Sequence, residues 1–186
     1  MQLNDHSKLA GLHSFLSPSQ SAWVNYDEDK LIERYKTHQA SILGTKLHEF
    51  AKQAIDLGQK LPRNNTTLSM YVNDAIGYRM KTEVPLFYSI HCFGTADALS
   101  FRDNKLRIHD LKTGKTPVNP RQLDVYAALF CLEYKIKPSD IDIETRLYFQ
   151  DERLIFEKDL HNIVFIIDRI VTFNKIIEDL QGEELA

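Results

Sequence analysis

Asp97 and Asp110, with Lys112 two residues beyond the second acid, are the side chains of this sequence best suited to chemistry. The acids stand thirteen positions apart (110 − 97), in Gly94-Thr-Ala-Asp97 and Asp110-Leu-Lys112, and Gln122-Leu-Asp-Val-Tyr126 follows. On a strand, side chains at i and i+2 share a face, so Asp110 and Lys112 point the same way. Two carboxylates crowded into one corner of a sheet repel each other and are costly to desolvate. A divalent cation removes that conflict and leaves the lysine beside an oxyanion. Hard carboxylate oxygens suit Mg²⁺ or Mn²⁺. Each fragment alone is commonplace: D-x-K occurs in solvated strands, and Q-x-x-x-Y is an ordinary pair on one helix face. Their order and setting point to a metal-dependent active site.

The elements that must position these residues are legible from periodicity. Asp97 follows an apolar-aromatic strand (86–93), and Asp110 closes Lys105-Leu-Arg-Ile-His109, which alternates as strands do. Predicted strands cover 82–90, 92–101 and 104–112, with Asp103-Asn104 as a turn tolerant of left-handed backbone. Two more, 141–149 and 153–158, form a hairpin around Gln150-Asp-Glu. A short helix starts at Ser17-Pro18 and carries Trp23, and another starts at Asp27 with Leu31, Ile32 and Tyr35 as its buried stripe. A stronger one spans 41–57, with Leu43, Leu47, Phe50, Ala51, Ala54 and Ile55 at helical spacing and Gly58 as its stop. Further helices run from Thr66 or Thr67 through Met80 (apolar positions Met70, Val72, Ile76 and Met80), over 120–134, and over 160–181. The fold class is α/β: a single domain with a mixed central sheet flanked by helices, covering 17–186 after a loosely ordered 1–16.

Composition sets bounds. A chain of 186 residues, 43% hydrophobic and 26% charged, is long enough for one buried core and short for two. No apolar run reaches the roughly 20 residues that span a bilayer, and Met1-Gln-Leu-Asn-Asp-His lacks a signal-peptide core. Cys92 and Cys131 read as buried thiols of a reducing compartment, so the expected location is cytoplasmic. A net charge of −3 weighs against a DNA-coating protein, though a local basic rim can still hold phosphates.

With Gly44-Thr-Lys-Leu-His48 upstream, the ordered motifs from 44 to 126 resemble the RecB-like branch of the PD-(D/E)XK nuclease superfamily. Ala96 precedes Asp97, so the nominal "PD" is not literal. The resemblance implies a restriction-endonuclease-like core and a divalent-metal-dependent DNA nuclease of recombination, repair or DNA processing. It favours a free-standing phage or bacterial exonuclease, since that branch is rich in enzymes acting at ends or on single strands. It makes Asp97, Asp110, the carbonyl of Leu111 and His48 metal ligands, with Mn²⁺ favoured if the histidine nitrogen binds. Glu83 either joins the metal shell or begins a solvated strand. Lys112 points with Asp110 at the scissile phosphate. Gln122 and Tyr126 line the DNA channel, the alternative for Tyr126 being a core position. Lys115, Arg121 and Lys46 flank the motifs as phosphate contacts or as solvated charges. Some relatives hold an iron–sulfur cluster on four cysteines; two cysteines exclude it for a single chain.

DNA is the expected partner, with a recombination or single-strand-binding protein as a second. The apolar last helix fits a ring of protomers or packing within the chain equally well. Two further readings stay open: a non-catalytic DNA-end binder or scaffold that keeps the fold, and a structure-specific endonuclease with the same metal site. Gly114-Lys115-Thr116 echoes the end of a phosphate loop, but the upstream glycine is missing, which excludes a nucleotide triphosphatase. His109 faces away from Asp110 by alternation and is not expected in the chemistry.

Overall fold

The computed structural model describes residues 4–114 and 119–184. The chain divides into two compact units, residues 1–46 and 47–186. The sheet lies in the second, together with the helices that pack on it, of which the helix Glu28–Asp56 contributes residues 47–56. After two 3₁₀ segments (Ser7–Leu9 and Pro18–Asn25) the elements are α1 (Glu28–Asp56), α2 (Thr67–Gly77), β1 (Lys81–Ser89), β2 (Cys92–Arg102), β3 (Lys105–Leu111), α3 (Arg121–Glu133), β4 (Asp142–Phe149), β5 (Glu152–Glu157) and α4 (Leu160–Glu184). The five strands form one sheet in the order β1-β2-β3-β4-β5. All neighbours are antiparallel except β3 and β4, which run parallel because α3 carries the chain back between them. The result is an α/β domain with a mixed sheet flanked by helices.

Two expected helices are one. Asp27 caps α1 by accepting from the Lys30 N–H at 2.8 Å, and nothing from Glu28 to Asp56 stops the helix. Gly58, at φ +65°, ends it: the next N–H, of Gln59, donates to the Ala54 carbonyl at 2.8 Å. The predicted stripes are wider than the buried face. Ala51, Ala54 and Ile55 are buried, whereas Leu31, Ile32, Tyr35, Leu43 and Phe50 are exposed. Three small or branched residues suffice to pack α1 on α2, leaving the larger ones outside. In the first unit, Tyr35 makes an edge contact with Phe15, centroids 5.2 Å apart.

α2 stops three residues before Met80. Arg79 takes left-handed backbone (φ 52°), and the Met80 N–H donates to the Ala75 carbonyl at 2.9 Å. An arginine thus occupies the position that glycine usually fills. The buried face of α2 is Ser69, Tyr71, Val72 and Ala75, one step round from the predicted apolar set. Both hairpin tips follow the sequence: Asp103-Asn104 (φ 50° and 59°) and Gln150-Asp151 (φ 48° and 59°) are left-handed pairs.

The sheet carries a core on each face. Leu86, Leu106, Ile108 and Leu147 pack with Leu123, Ala127 and Phe130 of α3 and Ile163 and Ile166 of α4. On the other face, Ala98, Leu111 and Tyr148 meet α1 and α2. α4 buries only part of its apolar length: Phe165, Phe173, Ile176 and Leu180 are exposed.

Candidate active site at the splayed strand ends

The β2–β3 ladder ends at Ala98 opposite His109. One step further, the same register sets Asp97 opposite Asp110. There the strands part, and the Leu111 N–H donates to Asp97 Oδ2 at 2.9 Å rather than to a strand carbonyl. A side chain thereby replaces a ladder bond at the point where a cleft opens.

Asp97 also stands at a change of face. Gly94 lies against Tyr126 of α3, and Ala96 belongs to the α3-side core, as does Leu99. Ala98 belongs to the opposite core. In β1 the switch is matched: Val84 and Leu86 pack on the α3 side, while Thr82 donates to Asp56 of α1 at 2.6 Å. Glu83, the residue opposite Asp97 in register, takes left-handed backbone (φ 45°). A non-glycine residue in that region costs of order 1 kcal/mol and is concentrated at functional sites. Strict alternation cannot anticipate such a slip.

Asp110, on β3, is 3% exposed. Lys112 Nζ lies 3.1 Å from its Oδ1 and 2.9 Å from its Oδ2. The Oδ2 contact is poorly aligned, so this buried oxygen has an ion-pair neighbour but no hydrogen-bond donor. From Lys112 a chain of hydrogen bonds runs across the site. Nζ donates to Gln122 Oε1 at 3.1 Å, Gln122 Nε2 donates to the Tyr126 hydroxyl at 3.1 Å, and that hydroxyl donates to the Thr95 carbonyl at 2.7 Å. Gly94 makes room for this: a Cβ there would stand 3.1 Å from Tyr126 Cε1.

His48 of α1 is half-buried, with Nδ1 3.6 Å from Asp97 Oδ2, too long for a firm hydrogen bond. Burial raises the Asp97 carboxyl above the ordinary carboxylate range, the Asp110 charge raises it further, and the Leu111 N–H, His48 and Lys112 offset part of this. Two acids are held together with more negative charge than the protein neutralises.

The expected site residues separate into three groups. Asp97, Asp110, Lys112, Gln122, Tyr126 and His48 converge, with Leu111 contributing its N–H. Glu83 is exposed beside them in register. Arg121 does not join: it lines a second cleft of about 360 Å³ with Phe165, Arg169 and Phe173. One residue along a helix turns a side chain by about 100°, which carries Arg121 away from the Gln122 face. Lys46 is exposed in the other unit, and Lys115 lies outside the described residues. Among the described residues no three His, Cys, Asp or Glu side chains gather in metal-holding geometry, so the expected set of His48, Asp97, Asp110 and Glu83 does not close. What does fit a cation is the pair Asp97 and Asp110, with its unmatched charge and the donorless Asp110 Oδ2. The tie of Tyr126 to the Thr95 carbonyl was not foreseen; its signal is the Gly94 that admits the ring.

No protein-family model, curated protein or solved structure matches the chain. Among the described residues no helix is long and apolar enough to cross a membrane.

Proposed function

We propose that the protein is a divalent-metal-dependent DNA nuclease of the RecB-like PD-(D/E)XK type, acting as an exonuclease in recombination, repair or DNA processing. The observation that carries this is the connection of separate motifs into one unit. Asp110, Lys112, Gln122 and Tyr126 form a continuous chain that ends on the backbone beside Gly94, three residues from Asp97. A charged cluster of this kind is costly to keep in a purely structural role.

Asp97 and Asp110 would hold Mg²⁺ or Mn²⁺, with His48 near enough to join by a small rotation. The bound cation supplies charge to offset the phosphate and makes water a stronger acid near neutral pH. Lys112 holds an ammonium against Asp110, where it can donate to a non-bridging phosphate oxygen as charge develops. Gln122 keeps Lys112 from folding back by accepting from Nζ, and Tyr126 fixes the Gln122 amide. Hydrolysis forms a bond from the water oxygen to phosphorus and breaks the ester bond to the leaving sugar oxygen. The water's proton passes to solvent, and the leaving sugar oxygen takes up a proton from solvent to depart as a hydroxyl.

The test is cleavage of end-labelled linear DNA and closed circles, single- and double-stranded, with Mg²⁺, Mn²⁺ or EDTA. Metal-dependent loss of linear DNA, abolished by Asp110→Asn and lowered about 100-fold by Lys112→Ala, supports the nuclease. Survival of circles supports an exonuclease, and their nicking an endonuclease. Inertness of a folded wild type on every substrate moves the assignment to a DNA-end-binding scaffold.

A further inference from the structure

Lys112 lines a second space besides the acidic site: a cleft of about 220 Å³ bounded by Leu47, Thr67, Leu68, Leu111 and Gln150. Consecutive residues of β3 divide the two, Asp110 belonging to the carboxylate pair and Leu111 to the α1–α2 core. Three leucines line the cleft, Thr113 and Gly114 continue its wall beyond Lys112, and the Gln150 amide, uncommitted among the described residues, is a polar group at its rim. Its volume is small against the roughly 300–1,000 Å³ of sites for drug-sized ligands and suits one flat ring system.

The rim is built rather than loose. The Thr67 N–H and hydroxyl both donate to Asp151 Oδ1, at 2.8 and 3.1 Å, and the Asp151 N–H donates to Thr67 Oγ1 at 2.7 Å. This clasp fastens the β4–β5 turn to the start of α2 and holds Gln150 in left-handed backbone at φ 48°.

We infer that this cleft receives a single unpaired nucleobase flanking the phosphate held at Asp110 and Lys112. The leucines pack on its faces, and the Gln150 amide meets its polar edge. The inference rests on the nuclease reading and sharpens it. The preferred substrate is a single strand or a frayed end, because a paired base cannot enter. Gln150 is a specificity-determining residue.

The experiment uses single-stranded octamers carrying one abasic position, moved along the strand. Binding is followed by fluorescence anisotropy in Ca²⁺, and cleavage in Mn²⁺ is measured on the same preparation. In the wild type one abasic position weakens binding about tenfold. Leu68→Trp, which fills the cleft, binds the intact strand that much more weakly and loses the positional sensitivity. Gln150→Gly, which keeps the left-handed backbone, retains sensitivity to base removal but levels differences among the four bases. No sensitive position in the wild type, or sensitivity unchanged in folded Leu68→Trp, overturns the cleft assignment. Failure of the nuclease reading shows separately, as positional sensitivity in Ca²⁺ without cleavage in Mn²⁺.

Discussion

The sheet carries two clusters of charge, and they are built on opposite terms. On the α2 side, Asp74 Oδ2 accepts from Arg146, Arg153 and the Tyr148 hydroxyl at 2.9, 2.9 and 2.7 Å. Arg146 also reaches Glu144 at 2.8 Å and the Tyr78 hydroxyl at 2.7 Å, and Arg107 and Arg146 lie over the Tyr78 ring. Despite burial, those donors and charges hold Asp74 below the ordinary carboxylate range, and Lys105, 2.9 Å from Glu144, does the same for Glu144 together with Arg146. At the splayed ends of β2 and β3, Asp97 is instead pushed up. In the first cluster each acid is met by donors within the protein, and the cluster clamps α2 to the sheet. The second is left negative and short of donors. Buried charge that is matched reads as structure, and buried charge that is unmatched reads as a place for something else.

The comparison breaks most sharply where a member of the matched cluster is removed. Asp74→Ala takes from Arg146 one of its two carboxylate partners, removes the acceptor of Arg153 and leaves Tyr148 without its acceptor, and is expected to destabilise the fold by about 3 kcal/mol. The shift of the urea midpoint measures it. Lys112→Ala also strands a buried carboxylate, Asp110, so its stability is compared in saturating Mn²⁺, where a bound cation would supply the missing charge; there the loss should be small while cleavage falls about 100-fold, as loss of one oxyanion donor does.

Asp110→Asn should go the other way in stability. It removes the like charge facing Asp97 while an amide oxygen still accepts from Lys112, so the metal-free protein is expected to gain about 1 kcal/mol while losing cleavage. The pH dependence follows from the raised Asp97 carboxyl. Its proton is held more tightly folded than unfolded, so the metal-free protein loses stability as pH rises from the ordinary value of 3.8 through the raised one, and does not regain it at neutral pH. A cation competes with that proton, so the melting-temperature gain in Mn²⁺ should be small at acid pH and grow toward neutrality. In Asp110→Asn both trends should flatten. A wild-type Mn²⁺ shift independent of pH would sink this account of the site.

Much of this arrangement was legible in the residues, because strand alternation and turn chemistry are local. The Asp103-Asn104 and Gln150-Asp151 tips, the five strands and the shared face of Asp110 and Lys112 all follow from it. Global packing was not local, and there the expectations missed. Leu31, Ile32 and Tyr35 have helical spacing but stand exposed, and Arg79 ends α2 where no glycine warned of it. Arg121 and Gln122 are neighbours in sequence and point into different clefts. The matched cluster was invisible because its members come from α2, β3, β4 and β5, and no short motif joins them. The face switch at Glu83 and Asp97 requires two strands to slip together, which a pattern read along one strand cannot show.

Gly94→Ala is the finest division between the two clusters. The methyl would stand 3.1 Å from the Tyr126 ring edge, so the ring must retreat by a few tenths of an ångström. The core beneath is unaltered, and the stability change should stay within about 1 kcal/mol. The displacement runs along the hydrogen-bond chain: the Tyr126 hydroxyl shifts from Thr95, Gln122 loses its fixed acceptor, and Lys112 gains freedom beside Asp110. Because catalytic geometry is sensitive to such shifts, cleavage should fall about tenfold with Mn²⁺ binding retained. Tyr126→Phe removes the hydroxyl without moving the ring and should give a similar loss by a different route. Adding Gly94→Ala to Tyr126→Phe should then cost little more, since both act through the one link to Gln122. Fully additive losses in cleavage would show that Gly94 acts on the site other than through Tyr126.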